Sequence, residues 1–236
     1  VVYHCAATAH EGLSVFSPYE ITRNNYLASV SIFSAAINEK VKRIIYCSSM
    51  ARYGDQKTPF TEDMKAKPVD PYGISKVAAE EVLKNLCELN NIEYVIAVPH
   101  NIIGPKQIYT DPYRNVVSIF LNRMLQGKPP IIYGDGEQTR DYIFVKDVIS
   151  ALIKASKIDE NHFLNIGTGQ EKSVNDLANS MKIQFNSGIE PTYKPAREGE
   201  LKRSVLNNAK AKKDLEWKPE YSLDDGMKAV FNWLRT

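Results

Sequence analysis

The chain has 236 residues, 43% apolar and 25% charged, with a net charge of +2, enough for one large core or two smaller ones. Its charges of both signs are interspersed, which leaves no electrostatic footprint for nucleic acid or an anionic membrane, and no apolar run approaches the roughly 18 residues of a membrane span. Three cysteines (Cys5, Cys47, Cys87) are odd in number and lack ligand-like spacing, so a reducing, cytoplasmic setting and no metal are expected.

The chain opens without Met or a signal pattern, directly in an apolar run over residues 1–7, as a fragment of a longer protein would. That run reads as a buried parallel strand ending in small residues. Apolar positions at helical spacing (Tyr26, Leu27, Val30, Phe33, Ala36, Ile37) predict a helix over 23–39. A strand over 41–47, a helix over 72–90 and a strand over 92–98 follow. Alternating strands and helices with mostly short joints indicate right-handed crossovers and a parallel sheet. Beyond Pro99 the pattern changes. Residues 101–115 read as a loop, 116–126 as a helix, and 129–133 and 141–145 as strands around a GDGEQTR turn. Asp147 is expected to cap a helix over 148–156, and Ser173 one over 174–185. A strand over 163–166 and helices over 208–215 and 223–234 complete the reading.

Chemistry concentrates between Arg43 and Leu89. A Tyr and a Lys four residues apart face each other only on a helix, where the ammonium favours phenolate and lowers a pKa that starts near 10. The spacing occurs at Tyr53-Lys57, Tyr72-Lys76 and Tyr142-Lys146. The first spans a Gly-Asp-Gln turn, and a strand would hold the third pair roughly 13 Å apart. Tyr72-Lys76 opens a strong helix behind Pro71. Ser49 lies upstream at the carboxyl end of a predicted parallel strand, the edge where open α/β sheets bind ligands. Ser49, Tyr72 and Lys76 are therefore the candidate proton-transfer trio.

At these residues the chain resembles the extended short-chain dehydrogenase/reductase superfamily, and within it the NAD-dependent nucleotide-sugar epimerases and dehydratases, especially UDP-hexose 4-epimerases. HCAA at His4, SSMARYG, PYGISK, PHNIIGPKQ, YGDGEQTRDYIFVKDV, REGE at Arg197 and LEWKP carry the resemblance. It implies a partial doubly wound, Rossmann-like parallel-sheet α/β domain over residues 1–100. A smaller mixed α/β lobe for the nucleotide sugar would occupy 101–236, with some elements returning to the sheet. It implies NAD contacts from Ala6, Ala7, Thr8, Asn25, Tyr72, Lys76 and His100. For a UDP-sugar it implies contacts from Ser48, Ser49, Asn101, Asn115, Arg140, Arg197, Glu200 and Ser204, with Arg140 and Arg197 on the diphosphate, a group that Arg suits. A cytoplasmic homodimer acting in carbohydrate metabolism and polysaccharide biosynthesis follows from the same resemblance.

The implied reaction is 4-epimerisation through a 4-keto sugar, with Tyr72 as base, Ser49 assisting, and Lys76 tuning Tyr72 and holding the NAD ribose. A 4,6-dehydratase or decarboxylase of this superfamily needs a carboxylate beside the serine, and Met50-Ala51-Arg52 offers none. A 4-reductase is a further alternative. Arg52, Val98 and Ile103 depart from the residues common at those positions. The small Ser204 is expected to leave room for an N-acetyl group. None of the 12 glycines forms a GxGxxG run, and pyrophosphate binding relies on such a loop at a helix N-terminus. These 236 residues are therefore expected to hold NAD weakly by themselves, which keeps a truncated, non-catalytic relative as the rival reading.

Overall fold

The computed structural model describes residues 1–111, 116–196 and 201–236. Four strands, Val2–His4, Arg43–Cys47, Glu93–Pro99 and His162–Ile166, lie side by side in that order and are all parallel. Ile44, Ile45, Tyr46, Val95, Ile96, Ala97 and Leu164 are buried. Near-continuous burial of this kind is what a parallel sheet covered by crossover helices requires. The fold class is thus the expected Rossmann-like α/β arrangement. The chain divides into two compact units, one made of Val1–Pro99, Ile149–Ile166 and Asn207–Trp217, the other of His100–Val148, Gly167–Leu206 and Lys218–Thr236.

In the first unit the helix expected over 23–39 starts earlier and is not uniform. α-Helix Pro18–Ile21 runs into a π-helical segment, Thr22–Leu27, and then into α-helix Ala28–Asn38. A π turn inserts an extra residue into the ladder, and the inward face becomes Asn25, Ser29, Phe33 and Ala36, with Leu27 exposed. Two of those inward positions are polar because each has a partner. Asn25 holds the backbone of Thr8, and Ser29 Oγ meets His4 Nε2 at 2.8 Å.

Helix Pro71–Asn90 begins with Pro at its first position, behind Asp70, whose carboxylate accepts the Gly73 N–H at 2.8 Å. Proline fits there because its missing N–H would be unpaired in any case. Asn91, left-handed at φ 53°, ends the helix.

Among the described residues, the second unit contains three short sheets. Asn101–Ile103 pairs in parallel with Tyr142–Phe144, so part of the segment expected to be loop is strand. Three residues beside Gly104-Pro105 are too few for periodicity to register. Ile131–Tyr133 pairs with Thr192–Lys194, and Thr139–Arg140 lies between Arg203–Ser204 and Lys172–Ser173. Ile103, Phe120, Leu121, Leu177, Met181, Met227 and Val230 form the core under helices Val116–Leu125, Val174–Gln184 and Leu223–Leu234. Ser173 caps its helix as expected, in a reciprocal pair with Asp176.

Asp147 does not cap. Its helix starts at Val145, and the carboxylate instead accepts the N–H groups of Glu220 and Tyr221 at 2.9 and 3.3 Å. Those donors lie over seventy residues away in the sequence, out of reach of a local reading. Among the described residues no helix is long and apolar enough to cross a membrane.

Candidate functional site

Within the first unit, the ends of two adjacent strands and the start of one helix bring the predicted trio together. Strand Arg43–Cys47 ends at Ser48, whose N–H still donates to the Ala97 carbonyl at 2.8 Å. Ser49 is extended and caps the short 3-10 turn Met50–Tyr53 by accepting the Ala51 N–H at 3.2 Å. The neighbouring Ser49 side chain also lowers the pKa of the Tyr72 phenol. Tyr72 is buried in the first turn of helix Pro71–Asn90, and Lys76 is buried one turn later.

The electrostatics differ from the expected lowering of the phenol pKa. Burial pushes Tyr72 up to about 12, against the opposing effect of Ser49. Burial likewise pulls Lys76 down to about 8, resisted by Cys47, Glu80 and Cys5. Lys76 Nζ donates to the Cys47 carbonyl at 2.7 Å and lies 4.9 Å from the centre of the Tyr46 ring. The ammonium is thus directed to a backbone oxygen, and desolvation sets the state of the phenol.

The other two Tyr-Lys spacings make no such pair. Tyr53 is buried and donates its hydroxyl proton to Asn165 Oδ1 at 2.7 Å, while Lys57 is exposed. Tyr142 lies buried in its strand, and Lys146 is exposed at the start of the following helix.

Beyond the first strand, Ala6 is exposed and Ala7 and Thr8 are half-buried. Asn25 clasps Thr8 from both sides: its Oδ1 accepts the Thr8 N–H at 2.7 Å and its Nδ2 donates to the Thr8 carbonyl at 3.1 Å. A side-chain amide in this role replaces a strand neighbour, so the open end of the first strand is held in one conformation.

Within the second unit, His100, Asn101, Arg140 and Ser204 belong to one network. His100 Nδ1 accepts the Asn101 N–H at 2.8 Å, and His100 Nε2 is 2.7 Å from Ser204 Oγ. Because Nδ1 accepts, the proton of the neutral ring belongs on Nε2, which donates to Ser204. Burial and the nearby Arg140 hold His100 down at about 3, so the ring is neutral at neutral pH. Arg140 donates to the carbonyls of Thr139 and Leu201, each at 2.8 Å. Ser204, expected to line a substrate site as a small residue, is fully buried.

Ser48, expected to contact substrate, has a partner within the protein. It is buried, and its hydroxyl donates to Glu80. Asn115, Arg197 and Glu200 lie outside the described residues. Among the described residues no group of three or more His, Cys, Asp or Glu side chains is placed to hold a metal ion.

Two features escaped the sequence reading. Cys5 and Cys47 sit with their sulfurs 3.4 Å apart on neighbouring strand ends, and Glu80 forms a buried pair with Arg52. The second had a readable signal. Tyr72, Lys76 and Glu80 are spaced i, i+4, i+8 along one helix face.

Residues 1–167 match the NAD dependent epimerase/dehydratase family. The UDP-glucose 4-epimerase of Mycolicibacterium smegmatis is 33% identical over 240 residues, which cover 100% of this chain and 76% of that protein. Among solved structures, the UDP-glucose 4-epimerase of Thermotoga maritima with UDP-glucose is 35% identical with a TM-score of 0.95, covering 99% of this chain and 76% of that one. The UDP-N-acetylglucosamine 4-epimerase of Methanobrevibacter ruminantium, in complex with UDP-N-acetylmuramic acid, is 32% identical with the same TM-score and coverage.

Proposed function

The chain belongs to the NAD dependent epimerase/dehydratase family, and from that premise we propose that it interconverts the C4 epimers of a UDP-sugar through a 4-keto intermediate. The observation that carries the reading is the placing of Ser49 at the end of the second strand, with Tyr72 and Lys76 buried one turn apart on the adjoining helix and Lys76 bonded to the carbonyl of Cys47, two residues before Ser49. Met50, Ala51 and Arg52, the residues beside Ser49, are all buried and none is a carboxylic acid. That leaves a base for the sugar hydroxyl and no acid/base group beside the serine for elimination.

The residues present fit NAD. An ammonium has three donors, and Lys76 directs one to Cys47, which leaves donors for a ribose hydroxyl. The Ala6–Thr8 strand end, clasped by Asn25, offers small side chains and a fixed backbone. His100 completes the proposed contacts. When bound, NAD supplies the hydride acceptor and donor that C4 inversion requires.

Tyr72 takes the proton of the C4 hydroxyl and later returns it, while Ser49 holds that hydroxyl by a hydrogen bond. A phenol near 12 is mostly protonated at neutral pH, so the base form needs a nearby cation. Lys76 is the residue placed to supply it. We assign residues 1–100 to the cofactor and proton transfer, and the lobe over 101–236, apart from the elements that return to the sheet, to the nucleotide sugar. Asn101, Asn115, Arg140, Arg197 and Glu200 would hold the diphosphate and ribose. Arg140 donates to the Thr139 and Leu201 carbonyls in this structure. Acceptance of UDP-N-acetylhexosamines as well as UDP-hexoses belongs to the same reading, with Ser204 itself buried against His100. A cytoplasmic homodimer belongs to the same reading, with the helices at 23–39 and 72–90 as its contact.

The test is an NMR assay of UDP-glucose, UDP-galactose and their N-acetylamino counterparts with the complete gene product. Interconversion at C4 is expected, with a loss of about 10²-fold or more in kcat for Tyr72→Phe, the scale of positioned acid–base catalysis. Full activity in Tyr72→Phe would sink the assignment.

A further inference from the structure

Glu80 is fully buried on the helix that carries Tyr72 and Lys76. One of its oxygens accepts the Ser48 hydroxyl, and both lie 3.2 Å from Arg52 Nε. Arg52 is buried too. Its guanidinium carbon lies 4.9 Å from the centre of the Tyr53 ring and 4.4 Å from that of Phe163. A buried ion pair stabilises a fold little better than apolar residues of the same volume, so its presence here calls for another account.

Location supplies one. Ser48 and Arg52 bracket the segment that carries Ser49. The Ser48 N–H is tied to the Ala97 carbonyl, and the Arg52 carbonyl accepts the Lys67 N–H at 2.8 Å. Glu80 grips both ends of that segment from the helix that presents Tyr72. One rigid element thereby sets the positions of both Ser49 and Tyr72.

Charge supplies a second. Lys76 faces Cys47 and the Tyr46 ring on the second strand, Cys5 beyond the first strand, and Glu80 on its own helix. His4 feels the Lys76 charge in return. Glu80 is the carboxylate of that set. Burial favours its protonated form, while Arg52, the Ser48 hydroxyl and Lys84 favour its charge.

We propose that Glu80, held by Arg52, is a positioning residue of the proton-transfer trio: it fixes the Ser48-to-Arg52 segment so that Ser49 meets Tyr72, and it supplies the buried negative charge that keeps Lys76 an ammonium. Glu80 does not itself exchange protons with substrate, since it is sealed from solvent and both its oxygens are engaged. The proposal rests on the epimerase reading for its catalytic consequence, but its electrostatic part is measurable without turnover.

The experiment uses the complete gene product labelled with 13C at lysine Cε, the Lys76 signal being assigned by its loss in Lys76→Arg. Two variants remove the negative charge by different routes. Glu80→Gln/Arg52→Met deletes both charges at similar volume, and Arg52→Met alone lets Glu80 take up a proton and become neutral, so a folding failure in one leaves the other. In each folded variant the Lys76 titration midpoint should fall by about one pH unit, as loss of a close opposite charge requires. The alkaline limb of kcat should move down with it, and kcat should drop about tenfold or more while KM changes less than about threefold, the pattern of a lost transition-state interaction. Arg52→Lys, which keeps both charges, should retain the wild-type Lys76 titration. An unshifted Lys76 midpoint in either folded variant, or a wild-type kcat in both, overturns the proposal. Failure of the epimerase reading would show separately, as activity that survives Tyr72→Phe.

Discussion

His100 shows how far a single side chain can be displaced from its solution behaviour. An unfolded imidazole takes up its proton near pH 6.5, whereas the folded one, buried beside Arg140, does so only at about 3. Between those values the unfolded state binds more protons, so stability falls as pH drops through the window, by up to about 1.4 kcal/mol per pH unit for this residue. His4, lowered to about 4 by burial and Lys76, acts in the same sense. The buried carboxylates of Asp70, Glu80 and Asp141 are shifted upward, chiefly by burial, and act in the opposite one. The expected result is therefore differential: in thermal melts from pH 7 to 4, His100→Gln should lose less stability than the wild type. Parallel melting curves for the two proteins would contradict it. Tyr72 and Lys76 belong to the same scale. Their spacing was legible in the sequence, but their protonation was not, because the distance of the ammonium from the phenol and the depth of burial are properties of the packed site.

Among the elements, helix Pro71–Asn90 carries most of the positioning. Its start is set by Asp70 and Pro71, both recognisable in the sequence as helix-entry residues, and its first turn is pressed against the segment after Ser49. A Cβ at Gly73 would stand 2.9 Å from the Ala51 carbonyl oxygen and 3.0 Å from Pro68 Cβ. Since the nearer obstacle is backbone, the helix end would have to retreat. Gly73→Ala should cost about 1–3 kcal/mol of stability, the range for overpacking. It should also lower kcat by more than the unfolded fraction explains, because Tyr72 moves away from Ser49. Denaturant melts paired with kcat measured well below the melting temperature separate the two effects, and a kcat equal to wild type would show that the close approach does not set the trio. The first long helix was legible as a helix but not in its inward face. The π-helical segment at Thr22–Leu27 shifts the register, and Asn25 and Ser29 face inward because Thr8 and His4 need them.

For the whole molecule, the parallel order of the four-stranded sheet and the family follow from different kinds of information that agree. The strand-helix alternation specifies a parallel sheet with its ligand edge at the strand ends, and the residues matched by the family include Ser49, Tyr72 and Lys76. Cofactor affinity is a property of the whole site. A GxGxxG loop, which presents backbone N–H groups to a pyrophosphate, does not occur in these 236 residues, and the NAD contacts proposed for the clasped Ala6–Thr8 strand end and Lys76 would supply only part of a site. Calorimetry on the 236-residue chain should accordingly show no micromolar NAD binding. A dissociation constant in the micromolar range would mean that these residues suffice.

The sequence by itself determined the α/β class, the order of the principal strands and helices, that Tyr72-Lys76 alone of three identical spacings opens a long helix, and the Ser173 cap. Each of these depends on residues within a few turns of one another, where periodicity and capping chemistry are expressed. Only the tertiary structure decided that Asp147 serves Glu220 and Tyr221, that Ser204 binds His100, that Asn25 clasps Thr8, and that Glu80 and Arg52 close around the segment bearing Ser49. A buried polar group must find a partner, but which partner depends on segments that folding brings together from distant parts of the chain.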